Sequence, residues 1–140
     1  MSVYFDASAL VKRYVEEAGS ARVRDLLGSG FIATSRLSEV EIASAVVRRW
    51  RESALGEAGR ERILRTLPFD LASMYIVELS VDVSAKTYGL LLRQRLRAGD
   101  AIQLASCLQL QERLGRPVRF VGFDDRLNQA AKAEGLEVES

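Results

Sequence analysis

The sequence predicts an α/β domain in which helices cover both faces of a parallel sheet. Three observations carry this reading. Short apolar runs recur along the chain, and one or two segments of helical periodicity separate each run from the next. Such runs suit strands buried on both faces. The composition is 48% hydrophobic and 28% charged with only 10 glycines and 2 prolines, which excludes a disordered, collagenous or low-complexity chain. The 140 residues suffice for one domain, 1–140, with a core that needs no staples, and no repeat or linker interrupts them.

The elements follow in order. Residues 2–5 form the first strand, ending at Asp6. Ser8 is placed to cap a helix through about Tyr14, with Leu10 and Val11 facing inward. Gly19 and Ser20 restart the chain, and Ala21, Val23, Leu26 and Leu27 suit a second short helix that ends at Gly28 or Gly30. Residues 31–34 form the second strand. Ser38 opens a helix whose apolar face runs from Val40 to Val47 before Arg48–Arg51 turn it polar. Residues 57–69 resume as a helix, with Pro68 in or just beyond the last turn. Residues 74–79 form the third strand. Ser80 or Asp82 caps a helix through about Arg97, and Gly99 separates it from another over Asp100–Leu114. A turn at 115–117 leads to a strand at 118–121, a last long helix opened by Asp124 or Asp125, and an edge strand at 136–138.

Composition also narrows the chemistry. There is no histidine, so imidazole ligands and histidine general bases are excluded; the single Cys107 excludes an intrachain disulfide and a cysteine zinc site. Cys107 reads as a small core residue. Any metal must be held by oxygen, which points to magnesium or manganese. No apolar stretch is long enough to span a bilayer and the N-terminus lacks a signal core, so no membrane role and a cytoplasmic location are expected. The net charge of +1 hides a bias: only Lys12, Lys86 and Lys132 are lysines among 20 basic residues. Arginines gather at 48–65 and 93–97, either as solvated helix faces or as a rim for nucleic acid or an acidic partner. Trp50 among them reads as a packing anchor or part of a partner surface.

Ligands of open α/β sheets sit beyond the carboxyl ends of the strands. Asp6 ends the first strand, and Asp124 and Asp125 follow the fourth. Glu41 lies near the start of the helix after the second strand, and Asp100 starts a helix. Each has an ordinary alternative as a cap or a first-turn acid, and Ser38 and Glu41 have capping-box spacing. Asp6 is the hardest to explain that way, because a carboxylate among Val3, Tyr4, Phe5 and Ala7 is expensive to bury unpaired. Acids that converge repel one another unless a cation neutralises them. Magnesium accepts such ligands, lowers the pKa of a water and offsets charge on a phosphodiester, with no histidine required. Ser8 is placed to reach the same mouth.

These residues fall into four blocks that resemble the PIN-domain nucleases, and specifically the VapC toxins of toxin–antitoxin pairs. The blocks are VYFDASALVKRYVEE, TSRLSEVEIASAVVRR, LRAGDAIQLASCL and FVGFDDRLNQAAKAEGL, and together they cover essentially the whole chain. The resemblance implies a three-layer α/β/α sandwich around about five parallel strands. It places the family's acids at Asp6, Glu41 (not Glu39), Asp100 and Asp124, with Ser8 as a supporting polar group. It implies a magnesium-dependent endoribonuclease, with manganese as a substitute, that cleaves structured RNA such as tRNA or rRNA. It also implies a cognate antitoxin and a homodimer, for which the apolar helix surfaces around 40–70 are the expected contact region. Two positions depart from the family pattern: Gly122 stands where many relatives have Thr or Ser, and Gln103 where many have His. The rival readings are a non-catalytic protein that binds RNA or antitoxin, a small-molecule phosphoesterase, and a plain domain whose acids are caps. The phosphoesterase lacks a Gly-rich phosphate loop and an Asp-x-Asp pair.

Overall fold

The computed structural model describes residues 1–139. Five strands and seven helices follow in the order β1 (Ser2–Phe5), α1 (Ala7–Tyr14), α2 (Ser20–Leu27), β2 (Phe31–Ser35), α3 (Arg36–Arg51), α4 (Glu57–Ala72), β3 (Tyr75–Val77), α5 (Val81–Arg93), α6 (Ala98–Leu114), β4 (Arg119–Val121), α7 (Asp125–Ala133) and β5 (Glu137–Glu139). The strands form one sheet in the order β3-β2-β1-β4-β5, and every pairing is parallel. The expected α/β/α sandwich on a five-stranded parallel sheet is present.

Strand alternation sorts the core into two layers. Val3 and Phe5 of β1 face a cluster with Leu10, Val23, Ile42, Ile63 and Leu67 from α1–α4. Tyr4, between them, faces the other cluster, with Leu90, Leu104, Leu110 and Leu127 from α5–α7, and its ring stacks on Phe120 at 5.8 Å. A chain that leaves β1 toward β2 and later returns to β4 on its other side creates a switch point between β1 and β4. Crevices in open α/β sheets form there, outside the carboxyl ends of the strands. Asp6 follows β1 and Gly122–Asp124 follow β4, so both reach this crevice.

Several boundaries differ from the sequence expectation. Asp6, not Ser8, caps α1: its Oδ1 accepts from the Ala9 N–H at 2.9 Å, and Ser8 turns its own hydroxyl to the same oxygen. Ser35 caps α3 through the Leu37 N–H, so Ser38 is a buried residue one turn inside and the Ser38–Glu41 capping box does not form. Glu41 is therefore in the second turn. Helix α5 stops at Arg93, because Gln94 takes an extended backbone and its side chain bonds Glu134; Arg95 and Arg97 lie in the following loop. Asp100 sits in the first turn of α6 and is not its cap, a position held by Arg97. Helix α4 runs through Pro68 to Ala72. Pro68 is exposed there, so water can serve the carbonyl left without an N–H. The third strand contracts to three residues, and α7 has only nine. No described helix is long and apolar enough to cross a membrane.

Candidate functional site

Asp6 lies at the floor of the β1/β4 crevice and is only 3% exposed. Its Oδ1 accepts from the Ser8 hydroxyl at 2.7 Å and from the Ala9 N–H. No Lys or Arg pairs with it among the described residues. Burial pushes its pKa from the ordinary 3.8 up to about 7; the Ser8 and Ala9 hydrogen bonds pull against this, and the Asp100 and Glu41 carboxylates add to it. Asp100 is half-buried, and its pKa is raised by burial and then by Asp124, with Arg97 opposing.

Ser8, Glu41, Asp100 and Asp124 line one cavity of about 970 Å³, together with Arg48, Arg95, Arg97 and Arg126. Asp6 lies beneath this lining, joined to it by the Ser8 hydrogen bond. The four acids expected from sequence thus meet in one region, from β1, α3, α6 and the β4–α7 turn. Asp124 also caps α7, its Oδ1 accepting from the Leu127 N–H at 3.0 Å, so its cap role and its place on the cavity coexist. Asp125 is an exposed first-turn acid of α7 and also lines this cavity. Among the described residues no three acidic side chains come close enough to form a ready-made metal cage.

Glu41 is held from behind by a buried polar chain whose role has no local signature in the sequence. Gln103 Nε2 donates to Glu41 Oε1 at 2.8 Å and to Ser38 Oγ at 3.0 Å, while its Oε1 accepts from the Tyr4 hydroxyl at 2.6 Å. Thr34 gives its only hydroxyl proton to the Phe5 carbonyl, so in the 2.7 Å contact between Thr34 and Ser38 it is Ser38 that donates. Every hydroxyl proton in the chain has an acceptor, and the Gln103 amide is fixed with an N–H on the carboxylate. A Cβ at Gly99 would lie 3.2 Å from Glu41 Oε2, so glycine there leaves room for the other carboxylate oxygen.

Gly122 has a similar reason. A Cβ there would lie 2.9 Å from the Phe120 ring and 3.0 Å from both Asp6 Oδ2 and Asn128 Oδ1. The Thr or Ser of the family pattern has no room in this arrangement. Asn128 bonds the Gly122 carbonyl through Nδ2 at 2.9 Å, and its buried Oδ1 has no partner among the described residues, leaving two oxygens directed to the same side of Gly122.

The arginines divide by partner. Arg49 pairs with Glu17 at 3.1 Å, Arg93 with Glu134 at 2.8 Å, and Arg60 lies 4.1 Å over the ring of Trp50, which is itself 36% exposed and belongs to neither core cluster. Arg48, Arg95, Arg97 and Arg126, the four on the acidic cavity, form no ion pair among the described residues, and neither do Arg51, Arg62, Arg65, Arg113 and Arg116 elsewhere. Cys107 is fully buried and burial pushes its thiol pKa up, in keeping with a core residue.

The PIN-domain family model matches residues 3–133. The chain belongs to the PIN-domain family. It is 34% identical over 138 residues to the ribonuclease VapC45 of Mycobacterium tuberculosis, across 97% of this chain and 93% of the relative, and is a homologue of the VapC toxins. Two solved structures share the fold. One is a toxin–antitoxin complex from Klebsiella pneumoniae, with a TM-score of 0.69 at 16% identity over 99% of this chain and 97% of that one. The other is VapC20 of M. tuberculosis, described as a sarcin–ricin-loop-cleaving toxin, with a TM-score of 0.68 at 16% identity over 96% of both chains.

Proposed function

We propose that this PIN domain is a divalent-metal-dependent endoribonuclease toxin of the cytoplasm that cuts structured RNA as a homodimer and is silenced by a cognate antitoxin. The observation that carries the reading is Asp6, a buried carboxylate with no cationic partner among the described residues, set beneath a cavity lined by four more acids and by four arginines that form no ion pair among those residues. Relatives described as a ribonuclease and as a toxin that cleaves the sarcin–ricin loop support the RNA assignment, and the Klebsiella complex supports the antitoxin.

The residues fit a magnesium ion, or manganese in its place. They offer only oxygen donors, and a cation would offset the buried charge of Asp6. Asp6 and Asp100 would hold it, with Glu41 and Asp124 contributing directly or through water. A bound ion supplies positive charge to the phosphate and acidifies water at neutral pH. The protein's own groups do the rest. Glu41, fixed by Gln103, orients the attacking water on the cavity side. Ser8 keeps Asp6 Oδ1 in place, leaving Oδ2 free. Arg48, Arg95, Arg97 and Arg126 grip flanking phosphates, which gives affinity with little base selectivity. Target choice then rests on RNA shape and unpaired bases.

The test is cleavage of total cellular RNA by wild type and Asp6→Asn, with magnesium or with chelator. Discrete products that need both Asp6 and the ion are expected, and normal cutting by a folded Asp6→Asn protein refutes the assignment. The second reading, a non-catalytic binder of RNA or antitoxin, draws on the absence of a ready-made metal cage among the described residues. It predicts no products with either magnesium or manganese.

A further inference from the structure

Among the described residues one buried side-chain polar atom has no hydrogen-bond partner, Oδ1 of Asn128. The residue is only 7% exposed. An acceptor hidden from bulk water and left unpaired is costly, so a native fold that keeps one calls for a partner from outside the chain. The turn after β4 decides where this oxygen points. Asn128 Nδ2 donates to the Gly122 carbonyl at 2.9 Å, and the Asn128 backbone N–H donates to the Asp124 carbonyl at 2.9 Å as α7 begins. Turning the amide over would set Oδ1 against the Gly122 carbonyl, acceptor against acceptor. The orientation of the amide is therefore fixed.

Asp6 brings a second oxygen to the same place. Its Oδ1 accepts from Ser8 and Ala9, but its Oδ2 has no partner among the described residues. A Cβ on Gly122 would lie 3.0 Å from Asp6 Oδ2 and 3.0 Å from Asn128 Oδ1. The two oxygens are thus at most about 6 Å apart, a gap that one water closes with two hydrogen bonds of about 2.8 Å. An ionised carboxylate and an amide oxygen only accept, so they cannot bond each other. A water has the two protons this pair lacks, and two polar partners are enough to hold a buried water. Glycine leaves that side open. A methyl group tethered to its Cα is crowded by both oxygens, whereas an untethered water takes hydrogen-bond distances to them. Asn128 is not on the lining of the acidic cavity, so its oxygen acts on that cavity only through Asp6.

We propose that Asn128 is a positioning residue that holds one buried water between its Oδ1 and Asp6 Oδ2, and through that water fixes the carboxylate oxygen that Ser8 and Ala9 leave free. The proposal rests on the reading of Asp6 as a metal ligand. Asp6 is then oriented on both oxygens, Oδ1 from α1 and Oδ2 from α7. The water occupies one lone pair of Oδ2 and leaves the other for an ion. Gln103 does the corresponding work for Glu41 by direct contact. Partners one step behind a metal ligand commonly change metal affinity by about 10–100-fold when they are removed.

Two measurements test this. The first is a crystal structure of the wild-type chain grown in chelator at about pH 8, at a resolution that shows ordered water. One water within about 3.2 Å of both Asn128 Oδ1 and Asp6 Oδ2 is expected. Oδ1 paired with a protein donor, in direct contact with Asp6, or with no water between the two oxygens overturns the proposal, whatever the variants do. The second is calorimetric titration of magnesium into wild type, Asn128→Leu and Asn128→Ser. Both variants lose the bond to the Gly122 carbonyl, but leucine fills the place of the water and serine leaves room for it. Asn128→Leu is expected to bind magnesium at least about 10-fold more weakly than wild type. Asn128→Ser is expected to stay within about threefold of wild type, because water can still reach Asp6 Oδ2. Equal losses in the two variants would show that Asn128 acts only by holding the turn, and equal affinity in all three proteins would show that it does not act on Asp6; either result overturns the proposal. A wild type that binds no magnesium refutes the metal reading itself and the role of Asn128 with it.

Discussion

Replacing Asp6 by Asn is expected to make the metal-free protein more stable at alkaline pH while abolishing the proposed activity. The carboxyl group is nearly fully buried and its pKa rises from 3.8 to about 7 in the folded chain. A raised carboxyl pKa means that the fold prefers the protonated form. Its contribution to stability is therefore fully present below pH 4 and is lost as pH climbs from about 4 to about 7. At 1.36 kcal/mol per pKa unit the loss reaches about 4 kcal/mol by pH 8 and stays below about 1 kcal/mol at pH 4. Asparagine keeps an Oδ1 to accept from the Ala9 N–H and the Ser8 hydroxyl, so the α1 cap survives. For a chain of this size 4 kcal/mol corresponds to a rise in Tm of about 10–15 °C. Thermal melts of both proteins in chelator at pH 4 and pH 8 read the effect directly. Added magnesium should then raise the wild-type Tm at pH 8 and leave Asp6→Asn almost unmoved. An Asn variant that is no more stable than wild type at pH 8 in chelator refutes the reasoning. So does a stability gap of equal size at pH 4, because a charge penalty must vanish when the charge does.

Two further perturbations address the neighbours of Asp6 and Glu41. Gln103→Leu strands the buried Tyr4 hydroxyl and removes the N–H from Glu41, and is expected to cost about 1–3 kcal/mol in denaturant melts; it should also lower kcat for RNA cleavage more than it raises KM, and an unchanged kcat would show that Glu41 needs no fixing. Gly122→Ala presses a methyl group against the Phe120 ring and the Asp6 and Asn128 oxygens; a loss of about 1–3 kcal/mol in the same melts is expected, and an unchanged midpoint would show that this side of Gly122 yields easily.

Strand–helix alternation is legible in this sequence because each central strand is a short run buried on both faces, and nothing else in 140 residues reads that way. Asp6 is legible for the related reason that an acid closing such a run is expensive to bury unpaired, even though it also serves as the cap of α1. Caps are less legible. Ser35 and Ser38 both stand before an apolar helical run, and the choice between them is tertiary: Ser38 is drawn inward by Thr34 and by Gln103, which lies 65 residues away. Gln103 itself gives no local signal, being one amide on a mostly apolar helix. Its partners lie 99 and 62 residues upstream, and only the packed fold joins Tyr4 to Glu41 through it. Helix α5 hides its exposure differently: Val83, Thr87 and Leu90 are buried while Val81, Tyr88 and Leu92 face solvent, and periodicity alone reports only an apolar helix. The meeting of Asp6 with Asp124 depends on a still more global property. The sheet order β3-β2-β1-β4-β5 sets β1 beside β4 and puts the two carboxylates at one crevice from opposite ends of the chain. A rearrangement of that order would keep every strand, helix and local pattern in the sequence and still disperse the acids, so the candidate site is a property of topology first and of motif second.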